Sequence, residues 1–224
     1  NSSEADRAHK LSDLVDCFCG RFVFWPFTGL VVVYVKTLKI IYGAFICSLY
    51  IIITPSQGIA AEPLKKALSN TSANVVFLRH ALAPGFGDPA EFQINDCSTQ
   101  RNLDQAGQRQ ARFIGKYLRE QKIVFDTILS SQWCRCKQTA DLLNMGSWQE
   151  FTGLNSFFQG HADRTDTLKK LQQKLDNLPA DTLVLMITHQ VTINAVTKIS
   201  PASGGFVVYN SRTKVSKSVQ LNTP

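Results

Sequence analysis

From residue 62 onward the sequence predicts a three-layer α/β domain with a mostly parallel central sheet flanked by helices. Three observations carry that expectation. Short apolar runs of strand length recur, and they lack the in–out alternation of a half-solvated strand. Longer stretches with helical spacing separate them. The runs also end in polar, chemically capable residues, as strands do at the ligand-binding edge of an open α/β sheet.

The elements follow in order. Val75–Leu78 is the first strand and runs directly into Arg79 and His80. Asp104 can cap a helix through about Glu120, with Ala106, Gln110, Phe113, Ile114, Tyr117 and Leu118 at spaced positions. Thr127–Ser131 reads as a second strand and Gln132–Leu143 as a second helix closed by Gly146. Glu150–Gly153 can form a short strand, and Asp166 to about Asn177 a helix with Leu168, Leu171 and Leu175 on one face. Thr182–His189 is the most apolar strand and therefore central. Val191–Ile199 is helical, Gly205–Asn210 is a final strand, and the polar tail after Ser211 is frayed or an edge segment.

Totals bound the function only loosely. The 224 residues suffice for one core of ordinary size. Residues 1–61 hold five Lys/Arg against four Asp/Glu, so residues 62–224 keep most of the formal net charge of +7. No basic run interleaved with aromatics occurs, so nucleic acid is not an expected partner. Attraction for small phosphorylated substrates explains the balance as well.

Residues 1–61 form a leader. Its apolar stretch Phe22–Ile53 is interrupted by Lys36 and Lys39. Read from Lys36, a short basic region, the apolar residues Ile40–Ile53 and the small residues Ala60 and Ala61 follow the grammar of a secretory signal peptide. Export to the periplasm is the expectation; the alternative is an N-terminal anchor in the inner membrane that also uses Phe22–Val35, the one expected membrane contact. In the domain, Cys97 could pair with Cys134 or Cys136, or all three could be unpaired. Cys134 and Cys136 lack the spacing of a zinc site, and neither metal nor cofactor is expected.

Three strand ends concentrate the chemistry: Arg79-His80, Ser130-Ser131 with Arg135 one helical turn later, and Thr188-His189. In a parallel sheet these meet at one edge. Gathered cations need an anion, arginine's fork suits phosphate oxygens, and histidine can be nucleophile or donor. Phosphoryl transfer is the reaction such a set invites.

At this point "LRHA", "LDQAGQRQA", "SSQWCRCKQTA" and "THQ" stand in the order and spacing of known motifs, and the region from Asn74 to Thr197 resembles the histidine phosphatase superfamily. The resemblance implies the phosphoglycerate mutase-like form of the fold and a phosphohistidine intermediate on His80. It implies that Arg79, Arg135 and His189 clamp the phosphate, that no metal is needed, and that the substrate is a small phosphorylated molecule or a phosphoprotein. Two departures qualify it. Ala81 stands where the family has glycine. Ser156 stands where many members have a glutamate general acid, so Asp88 becomes the first candidate for that role, with Glu91, Asp96 and His161 behind it. Members acting on phosphohistidine, whose leaving group is good, also lack that glutamate, and exported members act on phosphorylated envelope sugars. Phe86, Phe92 and Arg101 could line the substrate pocket. The resulting expectation is an exported, metal-independent phosphomonoesterase. The alternatives are a phosphate-binding domain of the same fold with weak turnover, and a phosphoglycerate-type mutase.

Overall fold

A computed structural model describes residues 63–221. The leader, with the export and anchor readings placed on it, lies outside the described residues.

Helix α1 (Leu64–Thr71), which the sequence reading did not assign, buries Leu64 and Ala67. Strand β1 is Val75–Arg79, followed by a long loop with a 3₁₀ turn at Cys97–Thr99. Helix α2 (Gln105–Glu120) starts as expected, with the Asp104 carboxylate accepting from the Gly107 amide. Its buried face is Gly107, Ala111, Ile114, Gly115 and Leu118, so Ile114 and Leu118 are buried as expected while Ala106, Gln110, Phe113 and Tyr117 are half-buried. The two glycines let the helix lie against backbone. An added Cβ would come within 1.9 Å of the Leu82 carbonyl at Gly107 and 2.0 Å of the Leu143 carbonyl at Gly115.

Strand β2 (Thr127–Ser130) leads into helix α3 (Cys134–Leu143), which closes on Asn144 in the left-handed region rather than on Gly146. Strand β3 is Gln149–Glu150, and 3₁₀ turns follow at Thr152–Leu154 and Phe158–Gly160. Helix α4 (Arg164–Asp176) begins two residues before the expected start, because Asp163 caps it. Strand β4 is Val184–Thr188, helix α5 Gln190–Thr197, β5 Phe206–Tyr209 and β6 Ser216–Val219. The tail thus supplies an edge strand.

The six strands are ordered β3-β2-β4-β1-β5-β6. β2, β3, β4 and β1 are parallel, while β5 runs against both β1 and β6. Alternation along the strands divides the core in two. Val76, Leu78, Ile128, Leu185, Ile187, Phe206 and Val208 face Ile114 and Leu118 of α2 and Cys136, Ala140 and Leu143 of α3. Val75, Phe77, Leu129, Val184, Met186 and Val207 face Leu171 and Leu175 of α4 and Ile193 of α5. The domain is therefore the three-layer α/β form expected, with β4 inside the sheet and buried along its whole length.

Candidate active site

Sheet register brings the strand ends level. Arg79 on β1 is opposite Thr188 on β4, and Ser130 on β2 is opposite Ile187. The ladder continues one residue further, with the His80 amide donating to the Thr188 carbonyl and the Ser131 amide to the Ile187 carbonyl. His80, Ser131 and His189 are thus fixed by backbone before their side chains make any contact.

His80 and His189 face each other with ring centroids 5.3 Å apart, and both are buried. His80 Nδ1 lies 2.8 Å from the Ala81 carbonyl oxygen. A carbonyl can only accept, so Nδ1 carries the proton and Nε2 keeps its lone pair. Burial, and then the charge of Arg135, push the pKa of His80 well below the ordinary histidine value, so the ring is neutral. Arg135 Nε approaches His80 Nε2 at 3.3 Å. Ala81 is not among the residues with positive φ, so alanine fits where the family has glycine. Its amide donates to Thr139 Oγ1, which itself donates to the Arg135 carbonyl.

His189 is held at Nε2 by the Ser131 hydroxyl (2.9 Å). Nδ1 is then the ring nitrogen for a ligand in the cavity that His189 lines. Burial and the charge of Arg135 also lower its pKa well below the ordinary value. Protonating either histidine therefore costs more in the folded chain than in the unfolded one. Their contribution to stability is complete above about pH 6.5 and is lost as the pH falls below it. Thermal unfolding between pH 7.5 and 5 should show Tm falling with acid, and a flat profile would contradict this burial.

Arg79, Arg101 and Arg135 line the same cavity, of about 300 Å³, with both histidines, Ser156, Ser203 and the first residues of α5, Gln190 and Val191. No carboxylate lines it. Arg79 donates to the Pro201 carbonyl through one terminal nitrogen, but its Nε is buried without a partner. Burial, and then Arg135, lower the pKa values of Arg79 and Arg101. The amides opening α5 add partial positive charge beside them. This site is built to hold an anion. Among the described residues no three His, Cys, Asp or Glu side chains converge as a metal site.

Asp88, expected as the general acid, is paired with Arg135 and is not among the cavity-lining residues. Its carboxylate makes a two-pronged ion pair with Arg135 (Oδ1–NH1 2.7 Å, Oδ2–NH2 3.1 Å). It also accepts from the indole of Trp133 and the amide of Arg101. Burial favours the neutral acid, but the bonds and charge of Arg135 outweigh it, and the pKa is held below the usual carboxylate value. An ionised group with its lone pairs engaged has no proton to give, so Asp88 orients Arg135 instead. The weaker candidates also lie outside the cavity lining. Glu91 is exposed, Asp96 caps the 3₁₀ turn through Ser98, and the His161 ring lies against Phe92 at 4.3 Å, tilted by 33°. Phe92 stacks on Trp133 at 5.0 Å and does not line the cavity, whereas Phe86 and Arg101 do.

Gln110 is more than helix packing. Its side chain accepts from the Leu82 amide and donates to the Ser203 carbonyl, bracing the loop that follows His80. A glutamine three residues after Gly107 on one helix face was the available signal. Of the cysteines, Cys97 and Cys134 are joined and Cys136 is free and buried. Burial pushes the Cys136 thiol up to about 12, so it is not a nucleophile at neutral pH.

The site thus sets a neutral His80, whose unprotonated Nε2 faces Arg135 Nε, among three arginines at the carboxyl edge of a parallel sheet. Residues 75–167 match the family model of the histidine phosphatase superfamily (branch 1). No curated protein matches the chain. Solved structures similar to it include the protein histidine phosphatase SixA complexed with tungstate (18% identity, 65% of this chain and 94% of that one, TM-score 0.43). Others are a SixA phosphohistidine phosphatase from Agrobacterium tumefaciens (20%, 68% and 99%, 0.47) and a mycobacterial glucosyl-3-phosphoglycerate phosphatase (15%, 68% and 99%, 0.47).

Proposed function

We propose that the chain is a metal-independent phosphatase that works through a phosphohistidine on His80. The observation that carries this reading is the neutral His80 ring, with Nδ1 tied to the Ala81 carbonyl and Nε2 unprotonated beside Arg135 Nε, in a cavity lined by Arg79, Arg101 and Arg135. Nε2 attacks phosphorus, the bond to the leaving atom breaks, and that atom departs with the electron pair. Arg79, Arg135 and His189 hold the equatorial oxygens as charge spreads over them. Water then attacks phosphorus, the N–P bond breaks with its pair returning to Nε2, and phosphate leaves with the proton lost to solvent.

The cavity has no carboxylic acid to protonate a leaving group, and Ser156 is too weak an acid to substitute. The substrates that fit carry phosphate on a group stable without that proton, whether on a small molecule or on a protein. The leader's pattern makes export part of the proposal.

The test uses the whole chain with EDTA present. Acetyl phosphate and p-nitrophenyl phosphate should be hydrolysed, and glycerol 2-phosphate at least about a hundredfold more slowly in kcat/KM. Comparable rates on glycerol phosphate would reveal an acid catalyst and reject this reading of the cavity. Phosphate binding without turnover of any ester would make the chain a binding domain.

A further inference from the structure

Beyond the phosphate, the mouth of the cavity is apolar and aromatic. Phe86 sits between Gly85 (φ +92°) and Gly87 (φ +71°) and is 89% exposed, and Phe158 (37%) meets it edge-on with centroids 5.1 Å apart at 82°. Both line the same cavity as His80, as does Leu82, itself 39% exposed. A single exposed phenylalanine on a loose loop would mean little. This one is held in place. Arg101 donates to the carbonyls of Ala83 and Gly87, on either side of the glycine tip. Gln159 joins the tip to the neighbouring turn, accepting from the Asp88 amide (2.7 Å) and donating to its carbonyl (3.3 Å). The positive φ of Gly87 favours glycine, and an added Cβ there would come within 2.6 Å of Gln159 Oε1. The chain therefore spends left-handed backbone and two polar side chains on fixing one solvent-exposed ring beside another.

Resting on the phosphatase reading above, we propose that Phe86 and Phe158 select substrates whose phosphate is attached directly to a planar aromatic ring. Two rings at right angles form a corner in which a third can stack on one face and meet the other ring's edge. The lack of a carboxylate among the described lining residues is compatible with this, because a phenolic oxygen leaves without prior protonation whereas an alkoxide does not. A saturated sugar or glycerate would satisfy neither feature.

Binding without turnover tests this, using the whole chain titrated by calorimetry with phenylphosphonate and with methylphosphonate. The parent should prefer the phenyl compound by about tenfold. Phe86→Ala and Phe158→Ala should each bring the affinity ratio close to one, and Phe86→Tyr should restore it. An equal affinity of the parent for the two phosphonates, or a ratio untouched by both alanine variants, would overturn the aromatic corner while leaving the phosphate site standing. Failure of the parent to bind either phosphonate would overturn the phosphate site and the corner together.

Discussion

His80→Ala should lower kcat/KM on p-nitrophenyl phosphate by about a thousandfold or more, because it removes the one atom placed to form the covalent intermediate. The reasoning starts from the proton. With Nδ1 committed to the Ala81 carbonyl, Nε2 is the only unprotonated ring nitrogen of His80, and burial with Arg135 alongside keeps it so. The parent, quenched during turnover of a ³²P-labelled aryl phosphate, should carry label that survives alkali and is lost in acid, as a phosphoramidate is. The alanine variant should carry none. Label retained in His80→Ala, or turnover near the parental rate, would move the nucleophile elsewhere. Since His80 is buried, near-native circular dichroism and phosphate binding in the variant keep the comparison fair.

Asp88→Asn should damage stability and rate in a pattern that no general acid would give. The Asp88–Arg135 pair is almost fully enclosed, with side chains 5% and 3% exposed. Removing one partner of such a pair leaves a buried charge uncompensated, at a cost of about 3–5 kcal/mol. For a domain of this size that is a fall in Tm on the order of 10 °C. Turnover should fall by roughly tenfold to a hundredfold through a misdirected Arg135. The losses on p-nitrophenyl phosphate and acetyl phosphate should match the loss on glycerol phosphate. Phosphate affinity should not weaken, because Arg135 then lacks its competing anion. A loss confined to glycerol phosphate, with little change in Tm, would restore Asp88 as a proton donor. The pH dependence has a definite sign. Because the folded-state pKa is depressed, the stabilisation is whole above about pH 4 and disappears as the pH falls through the folded value.

The layers, the central position of β4 and the convergence of three strand ends were legible in the sequence. Each depends on local apolar patterning and on the parallel-sheet rule, which need no knowledge of side-chain partners. What was not legible depended on contacts distant in sequence. Asp88 looked like an acid because a carboxylate near a nucleophilic histidine usually is one. Its true environment is set by Arg135, Trp133 and Arg101, which lie up to 47 positions further along the chain. Phe92 looked like a pocket residue, but it stacks on Trp133, half-buried, and does not line the cavity. Helix α1 escaped notice because it is only eight residues long, too few for a clear period. The helix end at Asn144 shows the opposite lesson, that an asparagine can take the left-handed cap as glycine does.

The two borders of the sheet bear on how the molecule behaves in company. One border is β3, two residues long, with Glu150 drawn to Lys137. The other is β6, four residues whose central Lys217 and Ser218 are exposed. Between these borders lie the other four strands, each paired with a neighbour on both sides. An incoming extended chain would find at one side too few amides to zip onto, and at the other a lysine in its path. Among the described residues, crowding should therefore not drive these domains to recruit one another through their sheets, and a concentrated solution should resist fibril formation by that route.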